Sequence, residues 1–251
     1  MAGHSKWAQI KRKKAANDAK KGKIFTKLIR EIQVAAKLGG PDEESNPRLR
    51  QAIQQARAYN MPLSNIERAI AKGCGETEGE NYEEVTYEAY GPGGVAIFIE
   101  ALTDNRNRTV SEIRHVLTKH GGNLATSGSV AWMFEKKGVI TVDGAECSED
   151  DVLIIATDAG ADDINVVDDV YEITTAPGDF EAVKKALEDN GIKIIEAGVS
   201  MIPKNTVRVD ESNAPRVLSL MEALDDLDDV QRVYSNFDID EEILKRIPSS
   251  S

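Results

Sequence analysis

Between residues 18 and 38 the apolar positions recur three and four apart. Stepping about 100° per residue from position 20 places Ile24, Phe25, Leu28, Ile29, Ile32, Ala35 and Ala36 on an arc from about 40° to 180°. Lys23, Lys27, Arg30 and Lys37 fall between about 260° and 340° on the same wheel. The spacing predicts an amphipathic helix with one face for a core and a cationic ridge opposite. Lys21 falls inside the apolar arc and Gly22 is a poor helix former, so the regular helix is expected after Gly22, with an arm before it. Gly39, Gly40 and Pro41 end this helix. Asn46 followed by Pro47 starts a second one as N-cap and first-turn proline, running to about Asn60. Ser64 and Glu67 have the spacing of a capping box for a third helix that ends at Gly73. Ile24, Leu28, Ile32, Leu49, Ile53, Ile66 and Ile70 are the expected buried faces of a helical domain over residues 1–78, with 75–84 as a linker rich in Gly and Glu.

Beyond the linker the period changes to strand, helix, strand, four times over. The first unit is 95–99, 110–120 and 129–134; the second is 139–142, 149–156 and 164–167. The third is 171–174, 180–190 and 192–197, and the fourth is 206–209, 214–224 and 230–234. Four such units predict two α+β sandwiches of the split βαβ type, each an antiparallel sheet backed by two helices, with the pairing of units left open by spacing alone. Gly91-Pro92-Gly93-Gly94 lacks the Lys-Ser/Thr of a phosphate loop and reads as a turn into the strand at 95–99.

Length agrees: 251 residues with 41% apolar side chains suit two or three modest domains. No run of about 18 apolar residues is present to cross a bilayer, and the basic N-terminus lacks a following apolar signal segment. Cys74 and Cys147 make no C-x-x-C pair or disulfide framework, which fits a reducing, cytoplasmic setting.

Charge changes the picture most. Residues 1–75 carry sixteen Lys and Arg against six Asp and Glu, so a chain of net charge −12 holds +10 at one end and −22 in the rest. A clustered basic face attracts phosphate whatever the mean charge. The candidate nucleic-acid contacts are Lys6, Lys11, Arg12, Lys13, Lys14 and Lys20 on the arm, with Lys23, Lys27 and Arg30 on the ridge. Trp7, inside the arm, has two readings: stacking on an unpaired base, or packing in a core.

Other features are weaker. The second and third helices, joined by 60–63, have helix-turn-helix order, but the third offers only Arg68 and Lys72, and ordinary bundle packing explains it as well. Asp104-Asn105-Arg106-Asn107-Arg108-Thr109 sits between a strand and a helix, where Asn105, Arg106, Asn107 and Arg108 are secondary candidate contacts, and Asn105, Asn107 and Thr109 are equally plain turn and cap residues. His115 and His120 are five apart with no completing ligands, so no metal or other cofactor is expected. The acidic pairs 162–163, 168–169, 225–226 and 228–229 read as solvated edges that keep a polyanion off that half. They also leave room for a basic protein partner. No nucleophile triad or paired-carboxylate pattern stands out, so a non-enzymatic role is expected, with an interdomain cleft as the remaining place for chemistry.

Ala2-Gly3-His4-Ser5-Lys6-Trp7 with Ile10-Lys11, then Lys27-Leu28-Ile29-Arg30-Glu31-Ile32, Asn46-Pro47-Arg48-Leu49-Arg50 and Asn60-Met61-Pro62 closely resemble the YebC/PmpR family. So do 102–109, His120-Gly121-Gly122-Asn123-Leu124 and 128–134, making the likeness nearly contiguous from residue 2 to about 138. The resemblance implies a helical first domain and two ferredoxin-like domains, the last inserted in the middle one: 1–78, then 79–136 with 205–251, and 137–204 between them. It implies a DNA-binding transcriptional regulator. Relatives that include a mitochondrial translational activator imply a second possibility, a factor that binds ribosomal RNA and relieves stalling at proline runs. The motif starts at residue 2 and leaves no room for a mitochondrial presequence, so the resemblance implies a bacterial, cytoplasmic member.

Overall fold

The computed structural model describes Trp7, Ile10 and residues 21–75, 81–167 and 170–247. Three helices come first: α1 (Lys21–Gly39), α2 (Pro47–Ala58) and α3 (Leu63–Gly73). The apolar arc of α1 packs as its spacing predicts: Leu28, Ile32, Ala35 and Ala36 are buried with Leu49, Ile53, Met61 and Ile66, while Ile24, Phe25, Ile29 and Ile70 are partly buried. Each fully buried Leu or Ile contributes about 1.5–3 kcal/mol. Asn46 caps α2 by accepting from the Leu49 N–H at 3.1 Å, and its amide donates to the Ala35 and Gly40 carbonyls at 2.8 and 2.9 Å. One side chain thus starts α2 and ties its loop to α1.

The capping box at Ser64 and Glu67 does not form. The third helix starts earlier, at Leu63 after Pro62, with no side chain bonding to its first turn. The preceding turn decides this. Asn60 takes the left-handed conformation at φ 59, which Asn tolerates, and Met61 then donates to the Ala56 carbonyl at 2.9 Å while burying its side chain. Pro62 is left pointing the chain into α3, so Ser64 already lies inside the helix. Gly73 lets the far end of α3 close on α1, since a Cβ there would collide with the Gln33 carbonyl.

A strand then appears inside and beyond the expected linker: β1 (Glu83–Tyr90) pairs antiparallel with β2 (Ala96–Thr103) along its whole length. A short 3-10 turn, Pro92–Gly94, joins them, with Gly93 and Gly94 at φ 75 and 76. After β2 come α4 (Arg106–Lys119) and the two-residue β3 (Asn123–Leu124). Residues 129–134, expected as a strand, instead hold a 3-10 turn at Ala131–Met133.

Phe134–Lys204 cluster as one compact unit, and the residues before and after them as the other. The 134–204 unit runs β4 (Phe134–Asp143), α5 (Glu149–Asp158), β5 (Ala161–Val167), β6 (Val170–Thr175), α6 (Phe180–Asp189) and β7 (Ile194–Pro203). Its sheet has the order β5-β6-β4-β7 with every neighbour antiparallel. Val152, Ala156, Phe180, Val183 and Leu187 from the two helices pack with Ile140, Val142 and Ile173 from the sheet.

The chain returns to the first unit as β8 (Val207–Arg208), α7 (Ala214–Asp225), β9 (Val230–Ser235), β10 (Phe237–Asp238) and α8 (Glu241–Arg246). The sheet order there is β3-β1-β2-β9, again antiparallel throughout. The expected strand at 206–209 stays outside it, because β8 pairs with β10 as a separate parallel ribbon. Ile113 and Leu117 of α4 and Val217, Leu220 and Leu224 of α7 form its core with Ile97, Ile99, Val230 and Val233.

Candidate nucleic-acid interface

The ridge of α1 is not free. Lys23, Lys27 and Arg30, spaced four and three apart, all face the C-terminal end of α7 and the turn after it. Lys23 pairs with Asp226 at 3.5 Å and Lys27 with Asp225 at 3.9 Å, and Arg30 pairs with Asp229 at 2.8 Å. The same three side chains donate to the backbone carbonyls of Asp226, Asp225 and Asp228. Cations at a helix C-terminus meet both its unpaired carbonyls and the negative end of its dipole. Exposure falls along the row, from 47% at Lys23 to 15% at Lys27 and 13% at Arg30. The expectation of an outward ridge is therefore corrected: α1 buries an apolar face against its own bundle and a cationic face against the α+β part of the same unit. Of the 225–226 and 228–229 carboxylates, Asp225 and Asp229 are drawn into this contact, whereas Asp226 and Asp228 stay exposed, as expected of a solvated edge.

Asp229 is the centre of this contact, with its side chain only 3% exposed. One oxygen accepts from Arg30; the other accepts from Thr109 Oγ1 at 2.6 Å, Arg108 at 2.8 Å and Thr103 Oγ1 at 3.3 Å. Burial pushes its pKa up, but the bonds from Thr109 and Arg108 and the charge of Arg30 outweigh that and hold it below the usual aspartate value. Arg30 also lies over the Tyr82 ring, 5.1 Å from its centroid.

The 104–109 segment is absorbed by the same hub. Asn105 is the N-cap of α4, accepting from the Arg108 N–H at 3.1 Å. Arg108 bridges Asp104 and Asp229, Arg106 pairs with Glu83 at 2.6 Å, and the Asn107 carbonyl accepts from Ser111. The cap reading holds for Asn105. As secondary ligand contacts, Arg106 and Arg108 are already committed to carboxylates.

Trp7 is 5% exposed and packs, with Ile10, into the core beneath the β3-β1-β2-β9 sheet, so the core reading replaces the stacking one. Lys6, Lys11, Arg12, Lys13, Lys14 and Lys20 lie outside the described residues. Elsewhere, a cleft of about 470 Å³ between the end of α4 and the start of α7 is lined by Lys119, His120 and Arg216. Partial burial and the charge of Lys119 hold the His120 pKa below its ordinary value.

A second aromatic, missed in the sequence, stands out on the surface. Trp132 is 62% exposed in the loop between β3 and β4. Glu88 of β1, 6% exposed, organises that loop: its carboxylate accepts from the backbone N–H groups of Gly128 and Val130 at 2.6 Å and Ala131 at 2.9 Å. Burial raises the Glu88 pKa, and these three backbone bonds more than reverse it, leaving it below the ordinary glutamate value. Tyr90 adds a hydroxyl bond to the Ser129 carbonyl at 3.2 Å.

Comparison with known proteins places this architecture. Residues 5–76 match the TACO1/YebC protein N-terminal domain, and residues 82–237 match the TACO1/YebC second and third domain. The chain belongs to the TACO1/YebC family. It is 55% identical over 243 residues to a probable transcriptional regulatory protein of Desulforapulum autotrophicum, covering 97% of this chain and 98% of that one. A protein of the same description from Syntrophus aciditrophicus is 54% identical over 248 residues, covering 98% and 99%. The crystal structure of a conserved hypothetical protein, Aq1575 of Aquifex aeolicus, superposes with a TM-score of 0.83 at 55% identity, over 90% of this chain and 94% of that one. The Desulforapulum and Syntrophus relatives of this TACO1/YebC chain are thus named as regulators of transcription rather than as enzymes.

No described helix is long and apolar enough to cross a membrane. Among the described residues no group of three or more His, Cys, Asp or Glu is placed to hold a metal ion.

Proposed function

We propose that this chain is a non-enzymatic, cytoplasmic, nucleic-acid-binding regulator of gene expression, acting as a DNA-binding transcriptional regulator. The observation that carries the reading is the full-length likeness to proteins named probable transcriptional regulators. Charge segregation supports it, with a shift of emphasis. With Lys23, Lys27 and Arg30 spent on Asp225 to Asp229, the reading rests on the arm, Lys6, Lys11, Arg12, Lys13, Lys14 and Lys20. The domain scheme of 1–78, 79–136 with 205–251, and 137–204 belongs to the same proposal. Both α+β parts are read as ferredoxin-like variants, the second inserted in the first; the β5-β6-β4-β7 and β3-β1-β2-β9 orders support this.

The test is retention of the full chain on duplex DNA over a salt series. If about six phosphates are neutralised, the log–log slope is near −5. Reversing Lys11, Arg12, Lys13 and Lys14 to Glu abolishes retention, whereas Lys23→Ala leaves the slope unchanged. Unchanged retention in the arm variant overturns the proposal. Co-sedimentation with the large ribosomal subunit, without duplex retention, transfers the arm to ribosomal RNA.

A further inference from the structure

We infer that Trp132 is a stacking platform for an unpaired nucleobase, so that the polynucleotide bound by this chain includes a single-stranded segment. The inference rests on the nucleic-acid reading above and adds a site to it. Trp132 is a large aromatic held in water, 62% exposed, and its position is fixed from beneath. The buried Glu88 carboxylate takes the backbone N–H groups of Gly128, Val130 and Ala131, and Gly128 has the left-handed backbone, φ 87, that bends the loop over it. The indole N–H donates to the Ser129 carbonyl at 3.0 Å, which fixes the edge of the ring. What the side chain offers is its face.

A ring set in place before binding loses little rotational freedom when a ligand lands on it. Its surroundings choose the ligand. Thr126, Ser127 and Gly128 are exposed and polar, Thr126 and Ser129 share a hydroxyl–hydroxyl bond of 3.0 Å, and Val130 is fully buried. Within its loop Trp132 is the large apolar side chain that is exposed, Met133 beside it being half-buried, and hydroxyl side chains stand at 126, 127 and 129. A hydrophobic protein groove gains most from a contiguous apolar patch. A nucleobase needs one π-face, with polar groups around it for its edges and sugar.

The chain's two tryptophans make the test direct, because Trp7 is buried and Trp132 exposed. Emission of the full chain is titrated with oligo(dT) and oligo(U) strands and with matching duplexes, alongside Trp132→Phe and Trp132→Ala. Expected are quenching of the wild-type emission by single strands, no quenching in Trp132→Phe, and single-strand affinity weakened about 5- to 100-fold in Trp132→Ala. Trp132→Phe keeps most of the affinity and duplex binding is unchanged in both variants. Single-strand binding that leaves Trp132 emission and Trp132→Ala affinity unaltered overturns the platform alone and points to a protein partner at the ring. Failure of the wild type to bind any nucleic acid overturns both readings together.

Discussion

Glu88 and Asp229 are both buried carboxylates of the first unit, and both are held ionised, yet they are satisfied by opposite means. Asp229 is met by charged and hydroxyl side chains from α1, β2 and α4. Glu88 is met by three backbone N–H groups of one loop. The first therefore joins elements distant in sequence, and its loss costs the association of the bundle with the α+β part. The second shapes a local surface, and its loss should disturb the position of Trp132 more than the global fold. Burying a charge is tolerated only where its lone pairs are filled, so each residue marks a place where conformation is closely specified.

Removing the Asp229 hub is expected to have the largest effect. Asp229→Ala leaves Arg30 and Arg108 facing an empty buried site and should cost about 3–5 kcal/mol in denaturant unfolding of the full chain. A cost below about 1 kcal/mol would show that the ridge contact is incidental. Glu88→Gln comes next, at about 1–3 kcal/mol, because one amide oxygen cannot serve three N–H donors and the NH₂ opposes one of them. Its sharper readout is amide exchange at 128–131, which should rise selectively; uniform change over the unit would make Glu88 an ordinary core residue.

Acid addresses both residues at once. Each has a folded pKa below its unfolded value, so each contributes stability above the ordinary carboxylate range and loses it as pH falls through the lowered folded pKa. Thermal midpoints should be flat from neutrality to about pH 5 and fall below about pH 4. Asp229→Asn should flatten that acid limb, and an unaltered limb would remove Asp229 from the linkage. Smallest is Lys23→Ala: at 47% exposure its pair with Asp226 is screened, and about 0–1 kcal/mol is expected from the same unfolding curves. Arg30→Ala should exceed it clearly, since it strips a donor from Asp229.

Much of the helical part was legible. The period of α1, the Asn46 cap with its proline and the stop at Asn60 each rest on neighbours within a few residues, where spacing and side-chain chemistry act directly. The capping box at Ser64 misled because the Asn60–Pro62 turn had already set the start of α3. Strand β1 carried a signal in Val85, Thr86, Tyr87 and Tyr90, obscured by the run of glutamates before it. Residues 129–134 read as a strand from their apolar content. Their N–H groups at 130 and 131 go to Glu88 instead of a neighbouring strand, 42 and 43 residues away.

The candidate site divides the same way. Cationic enrichment in residues 1–75 is a property of composition, and the family likeness is carried by contiguous motifs; the sequence determined both by itself. Which cations are available, and which tryptophan meets solvent, was decided only in three dimensions. Arg30 and Asp229 are 199 residues apart, and nothing local tells an aspartate that will accept four donors from one that will sit in water. Local chemistry specifies helices, caps and net charge because these are sums over neighbours. The pairing and burial of a charge depend on which distant groups the folded chain brings to it, and that is settled by tertiary packing.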